Sequence, residues 1–235
     1  KCYEKKSGNT LSSGVTAMSY LAMGMQEASR GCGWYNGFNI DTYDTAGMDT
    51  ALANEISRLA IDERLAYFRE HPGYTADFYL HKHLSQWADG TYASRQATLA
   101  TYGGRSSFFK EVYEGSLSGG YIEWCNAWQN VLYLGVMVFC IDSLNKRRKS
   151  KVAGQTAECT ADQMAEQHGA DRLGADRLYV YVGLIAVLGG FLFHTFWEAN
   201  SRYIFSYSLL LMPYCGAGVY TGICRIRDGV RSRFH

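Results

Sequence analysis

LYVYVGLIAVLGGFLFHTFWEANSRYIFSYSLLLMPYCGAGVYTGIC, residues 178–224, decides the fold class. Leu178–Trp197 and Tyr203–Cys224 hold no Asp, Glu, Lys or Arg, and only EANSR (198–202) separates them. As helices these runs of 20 and 22 residues would reach roughly 30 and 33 Å, close to the hydrocarbon core of a bilayer. The first is apolar nearly all round, with His194 near its end. The second carries Pro213 and three glycines, which membrane helices tolerate better than soluble ones. Upstream, Trp124–Ile141 is a further charge-free window of 18 residues. It is weaker, because Asn126, Gln129 and Asn130 occupy its opening turns and its apolar core runs only from Val131 to Ile141. The competing reading of each window is a buried core helix or a re-entrant segment.

Averages conceal this pattern. The 235 residues are 47% hydrophobic and 19% charged with a net charge of +1, which excludes a disordered chain, a collagen and a polybasic nucleic-acid arm. Residues 1–120 carry 11 Lys/Arg and 13 Asp/Glu, a mixture compatible with water. Residue 1 is Lys, and KCYEKKSGNT lacks the apolar core of a signal peptide. The chain reads as the C-terminal piece of a longer protein.

Positive charge orients the three windows. NKRRKSK (145–151) follows the first, and RIRDGVRSR (225–233) follows the last. Placing both clusters in the cytoplasm makes 121–142 run inward, 178–197 outward and 203–224 inward again. Residues 1–120 and the turn 198–202 then lie outside, while 143–177 and 225–235 lie inside. Trp124, Trp128, Trp197 and Tyr203 fall near the outer interface, where aromatic rings are favoured. The inner loop contains the duplication GADRL-GADRL (169–178). Its basic run serves orientation, and its chemistry also suits anionic headgroups.

The fold class expected is therefore an all-α membrane protein: three transmembrane helices plus an extracytoplasmic, mainly helical region. In that region Asp49 or Thr50 can cap a helix on which Leu52, Ile56, Leu59 and Phe68 recur at helical spacing. Pro72-Gly73 breaks it, and a second helix over Tyr74–Trp87 shows Phe78, Leu80, Leu84 and Trp87. Asp89-Gly90, Gly103-Gly104 and Gly119-Gly120 read as turns, and GCGWYNGFN (31–39) as a loop suited to binding. Of the seven cysteines, only Cys2 and Cys32 share the outer side, where oxidation allows a disulfide. Cys125, Cys140, Cys215 and Cys224 fall in the spans, and Cys159 falls in the inner loop.

No phosphate loop, dinucleotide fingerprint or CxxC pair is present. His81 and His83 stand two apart, on different sides of a helix, and neither Cys nor carboxylate completes a metal site. No metal and no cofactor is expected. FWEANSRY (196–203) is the informative motif. A continued helix would set Glu198 and Arg202 on one face as an ion pair that caps the two spans. The functional reading is a phosphate contact, because a guanidinium offers forked donors to phosphate oxygens. His194, one turn below Glu198, reads as a packing residue.

FWEANSRYIFSYSLLLMPYCGAGV (196–219) resembles the tail of multi-pass bacterial C-type glycosyltransferases related to family 39, the protein mannosyltransferase-like class. YLAMGMQEASRGCGWYNGFN (20–39) and FYLHKHLSQWADGTYAS (78–94) resemble the soluble region of its Gram-positive members. The resemblance covers most of residues 15–225. It implies a multi-pass plasma-membrane enzyme that transfers a sugar from a polyprenyl-phosphate donor to a cell-surface glycan or polymer acceptor on the outer face. In such enzymes the catalytic carboxylate lies in the first outer loop, upstream of Lys1 here, and Asp41, Asp44 and Asp89 do not match that motif. No catalytic residue is assigned. The binding residues implied are Glu198, Arg202 and Tyr203 for the carrier phosphate or outer gate, and Trp34, Tyr35 and Asn36 for the acceptor. Expected partners are the lipid-linked donor, the acceptor and membrane lipids, with no nucleic acid. The alternatives are a non-catalytic, polymerase or export membrane component of surface-polysaccharide assembly and, third, a soluble α-helical protein.

Overall fold

The structure, a computed structural model, describes residues 14–101, 106–156 and 181–231. These fall into two compact units. The described residues up to Asp89 form the first together with Phe191–Ser201, and the described residues within Gly90–Gly190 and from Arg202 onward form the second.

In the first unit, α1 (Ala17–Met23) starts where the Thr16 hydroxyl accepts from Ser19 N at 3.2 Å. A two-stranded hairpin follows, β1 (Glu27–Ala28) against antiparallel β2 (Gly31–Cys32). Next come α2 (Phe38–Thr45), α3 (Thr50–Glu70) and α4 (Pro72–Trp87). Asp49 caps α3 as expected, its Oδ1 accepting from Ala51 N at 2.8 Å and Leu52 N at 3.2 Å. Pro72 does end the first helix, but it also opens the second. Its missing N–H costs nothing in a first turn, so α4 begins two residues earlier than the periodicity indicated.

The buried stripes differ from those read in the apolar spacing. On α3 the buried residues are Ala53, Ser57, Ile61 and Phe68, whereas Leu52 and Leu59 are exposed. On α4 they are Phe78, Lys82 and Gln86, whereas Leu80 and Leu84 are exposed. Both stripes keep to one helix face, at i, i+4 and i, i+7, but they are partly polar because their partners are polar. Ser57 Oγ meets Ser19 Oγ at 2.8 Å, and Ser19 Oγ meets Thr16 Oγ1 at 3.1 Å. The apolar core gathers Ala22, Met25, Ile61, Phe68 and Phe78. Arg64 closes its rim with the guanidinium carbon 4.7 Å from the Phe68 ring centroid and 5.2 Å from those of Tyr74 and Phe78. Its Nε donates to Met25 O at 2.6 Å, and an Nη donates to Glu27 Oε1 at 2.7 Å. A cation stacked on rings with its donors satisfied is a stable way to bury a guanidinium edge.

The second unit holds α5 (Ser94–Thr101), α6 (Ser107–Tyr113), α7 (Ser118–Thr156), the start of α8 (Tyr181–Phe196) and nearly all of α9 (Ser201–Arg231). α7 outruns the predicted 121–142 at both ends. Gly119-Gly120 lies inside its first turn, and NKRRKSK continues as helix because Lys and Arg are good helix formers. α9 likewise exceeds 203–224 and runs through Pro213. α7 and α9 approach closely at Gly218, where a Cβ would collide with the Gly135 carbonyl oxygen. Tyr214 packs on Phe139 with ring centroids 5.3 Å apart, and its hydroxyl accepts from Gly183 N at 3.1 Å, tying in the start of α8.

Among the described residues, two helices are long and apolar enough to cross a membrane: Ser118–Arg148 of α7 and all of α9, 31 residues each. Only 22% and 17% of their apolar windows are buried within the chain, whereas a core helix of a soluble protein is mostly buried. The remaining predicted span, 178–197, corresponds to the shorter α8, and its first three residues lie outside the described set. Also outside it are Cys2, Cys159, the GADRL duplication, Gly103-Gly104 and Arg233.

Candidate functional site

Each unit places part of the predicted site. In the first, the binding loop and the WEANS segment meet through the backbone. Trp34 forms a parallel bridge with Ala199, and Ala199 N donates to Gly33 O at 2.7 Å. The chain from Trp197 to Asn200 is therefore not helical. Glu198 and Arg202 do not follow one another on a continued helix, because α8 ends at Phe196 and α9 starts at Ser201. The bridge to Trp34 is the competing interaction that a helical reading of the segment did not contain.

Lys82 organises this corner. It is 0% exposed, and its Nζ donates to Gly24 O at 2.5 Å, Trp197 O at 2.8 Å and Thr195 O at 3.0 Å. Gly24 caps α1, and Thr195 and Trp197 stand at the C-terminal end of α8. Carbonyls at helix ends lack intrahelical donors and carry partial negative charge. An ammonium has three donors, and here all three are used. Burial nevertheless pushes the Lys82 ammonium down to about 7, since a buried charge loses its hydration. Gly33 makes room for the stem. It adopts φ +72, and a Cβ there would lie 2.6 Å from Lys82 Cε and 2.7 Å from Gly24 O.

The other side chains of this corner are also occupied. Trp34 is 6% exposed, and its Nε1 donates to Ser85 Oγ at 2.8 Å. Asn36 Nδ2 donates to Gln26 Oε1 at 2.9 Å, and Asn36 Oδ1 accepts from Phe38 N at 3.0 Å, fixing the turn into α2. Tyr35 is 50% exposed. Glu198 is buried, as are Asn200 and Ser201, and Ser201 Oγ donates to Asp89 Oδ2 at 2.6 Å. His83 stacks on Phe191 at 4.2 Å with Nε2 3.3 Å from Thr195 Oγ1, and burial, then Lys82, lowers its pKa. His81 faces outward beside Asp77. His194 is buried among these groups. Among the described residues, no group of three or more His, Cys, Asp or Glu is placed to hold a metal ion.

The second unit contains a cleft of about 480 Å³. Tyr92, Tyr121, Trp124, Trp128 and Phe205 give it an aromatic lining, Gly90 and Cys125 also line it, and Arg202 supplies the cation. Polar bonds hold the walls. Tyr92 Oη donates to Ser208 Oγ at 2.9 Å, Ser94 Oγ lies 2.8 Å from Tyr121 Oη, and Gly90 N donates to Asn126 Oδ1 at 3.0 Å. Arg202 and Tyr203 sit in the first turn of α9, both exposed. Asn126, which weakened the apolar window, is thus a positioning group for the cleft. A cleft with aromatic walls and one guanidinium can receive an apolar or sugar-bearing ligand that ends in an anion. The aromatic lining was legible only as interface tryptophans, because Tyr92, Tyr121 and Phe205 come from separate elements. No family model, no curated protein and no solved structure matches this chain.

Proposed function

We propose that the chain is part of an integral membrane glycosyltransferase that takes a sugar from a polyprenyl-phosphate donor and transfers it to a cell-surface acceptor on the outer face. The observation that carries the reading is Arg202 in the first turn of α9, on the wall of the aromatic cleft and at the head of a helix long enough to span a bilayer. A lipid-linked donor keeps its chain in the bilayer and its phosphate at the water boundary. A site for it needs apolar walls, a cation and a membrane-length helix beside it. The largely exposed apolar windows of α7 and α9 favour a lipid-facing role for both helices.

In this reading α7 runs inward, α9 runs inward, and the shorter α8 returns between them. Arg202 and Tyr203 hold the carrier phosphate. Tyr35, with its ring open to solvent, offers the acceptor a stacking face. Trp34, Asn36 and Glu198 act by holding the corner in shape, since Trp34 and Glu198 are buried and Asn36 is spent on the turn. No residue of this chain is assigned as the base that activates the acceptor hydroxyl.

The test is binding of a short polyprenyl phosphate to the full chain in nanodiscs of neutral phospholipid, read by the fluorescence of the cleft tryptophans. Arg202→Ala should weaken binding about tenfold or more, Arg202→Lys should weaken it less, and the uncharged polyprenol should bind poorly to all three. Equal binding of phosphate and alcohol, or an Arg202→Ala variant indistinguishable from the parent, would remove the proposal.

A further inference from the structure

We infer that the far end of the second unit is a docking surface for the phosphate headgroups of anionic phospholipids. The inference rests on the membrane part of the reading above and not on its glycosyl-transfer part. α7 and α9 are joined there through buried Asp142 of α7, which receives Arg225 from α9 and Lys146 from its own helix, the latter at 2.8 Å. Arg147 lies over the Tyr181 ring at 4.7 Å, bringing in the start of α8. Three helices thus meet at one basic surface. Within 141–148 and 223–231 it carries Lys146, Arg147, Arg148, Arg225, Arg227 and Arg231 against two carboxylates, Asp142 and Asp228.

Two further observations choose the occupant. All six cations are exposed; Lys146 and Arg225 pair with Asp142 and Arg227 pairs with Asp228, and six cations against two carboxylates leave the surface net positive. Leu144 is 64%, Ile226 69% and Val230 51% exposed on the same turns. Apolar side chains interleaved with exposed cations match the boundary where acyl chains give way to headgroups, whereas a nucleic-acid surface would have no use for the leucine and isoleucine. From Trp124 to Lys146 the helix rises roughly 33 Å, so the aromatic and basic ends of α7 fit the two faces of one bilayer.

The experiment titrates the full chain, in neutral-detergent micelles, with short-chain phosphatidylglycerol and with phosphatidylcholine, counting retained lipids by native mass spectrometry. Phosphatidylglycerol should be retained at least tenfold more strongly. Arg148→Gln, Arg227→Gln and Arg231→Gln avoid the Asp142 link, and together they should cut that preference by up to about a hundredfold, since each juxtamembrane cation contributes about a factor of five. The three Lys replacements should keep it, which separates charge from folding. Equal retention of the two lipids, an unchanged preference in the triple Gln variant, or displacement of the lipid by inorganic phosphate or by duplex RNA at equal concentration would each overturn the inference. The probe has no polyprenyl chain, so failure here leaves the Arg202 cleft standing. A chain that stays dispersed without detergent sinks both.

Discussion

Lys82 and Trp197 lie 115 positions apart, yet the Lys82 ammonium donates to the Trp197 carbonyl at 2.8 Å. That bond, with those to Thr195 and Gly24, fastens the end of α8 to the α1–β1 loop of the first unit. The fastener is a buried charge whose three donors meet three helix-end acceptors.

Lys82→Met keeps the aliphatic stem and removes the donors. It leaves three buried carbonyls without their partner and should destabilise the first unit by about 3 kcal/mol. Thermal unfolding of the detergent-solubilised chain, followed by circular dichroism, checks this. An unfolding midpoint within a degree of the parent would contradict the assignment.

The same pair of chains reports on pH. The Lys82 pKa is lowered from 10.5 unfolded to about 7 folded, so between those values the unfolded chain holds more protons than the folded one. Stability then rises with pH across that window and falls as pH drops toward 7. The stability of the parent relative to Lys82→Met should increase from pH 7 to pH 9 in denaturant titrations, and a difference that stays flat would place the folded ammonium pKa higher. His83, also lowered by burial, acts in the same direction below its ordinary value of 6.5.

Gly33→Ala should be more damaging than a surface Gly→Ala change. It adds strain at φ +72 and a contact 2.7 Å from the Gly24 carbonyl oxygen, so a loss of about 2 kcal/mol or more is expected. Limited proteolysis of the first unit is the measurement. Faster cleavage than in Gly73→Ala, where a Cβ meets open space, is the expected result.

Asp142→Asn removes the shared partner of Arg225 and Lys146. Breaking an ion pair whose cations are open to solvent should lower stability by up to about 1 kcal/mol. A double-mutant cycle with Arg225→Gln should recover much of that loss as coupling, measured as the shift in unfolding midpoint. Strict additivity would mean that the pair contributes nothing to holding α7 and α9 together.

Topology is checked by single cysteines introduced in place of Tyr35 and Arg148 in a background without native cysteines. Tyr35→Cys should react with an impermeant maleimide on intact cells, and Arg148→Cys only after permeabilisation. The opposite pattern would invert the orientation drawn from the basic clusters.

The sequence by itself determined the features that depend on local chemistry. Charge-free runs of membrane length marked α7 and α9, Asp49 marked the start of α3, and Pro72 marked the break after it. Each rests on a rule that acts within a few residues: unbroken apolarity, a side chain capping the next amides, a missing N–H. Only the tertiary structure decided which faces are buried and what the FWEANSRY corner does. The spacing of Leu52, Leu59, Leu80 and Leu84 pointed to one face of each helix. Burial follows Ala53, Ser57, Lys82 and Gln86, because the surfaces opposite them present hydroxyls and helix-end carbonyls. Glu198 and Arg202 read as one helical turn until Ala199 paired with Gly33 and Trp34, more than 160 residues upstream. Partners that distant leave no periodic trace in the chain. Their attraction exists only once folding has brought a buried donor and an unsatisfied carbonyl within hydrogen-bond distance.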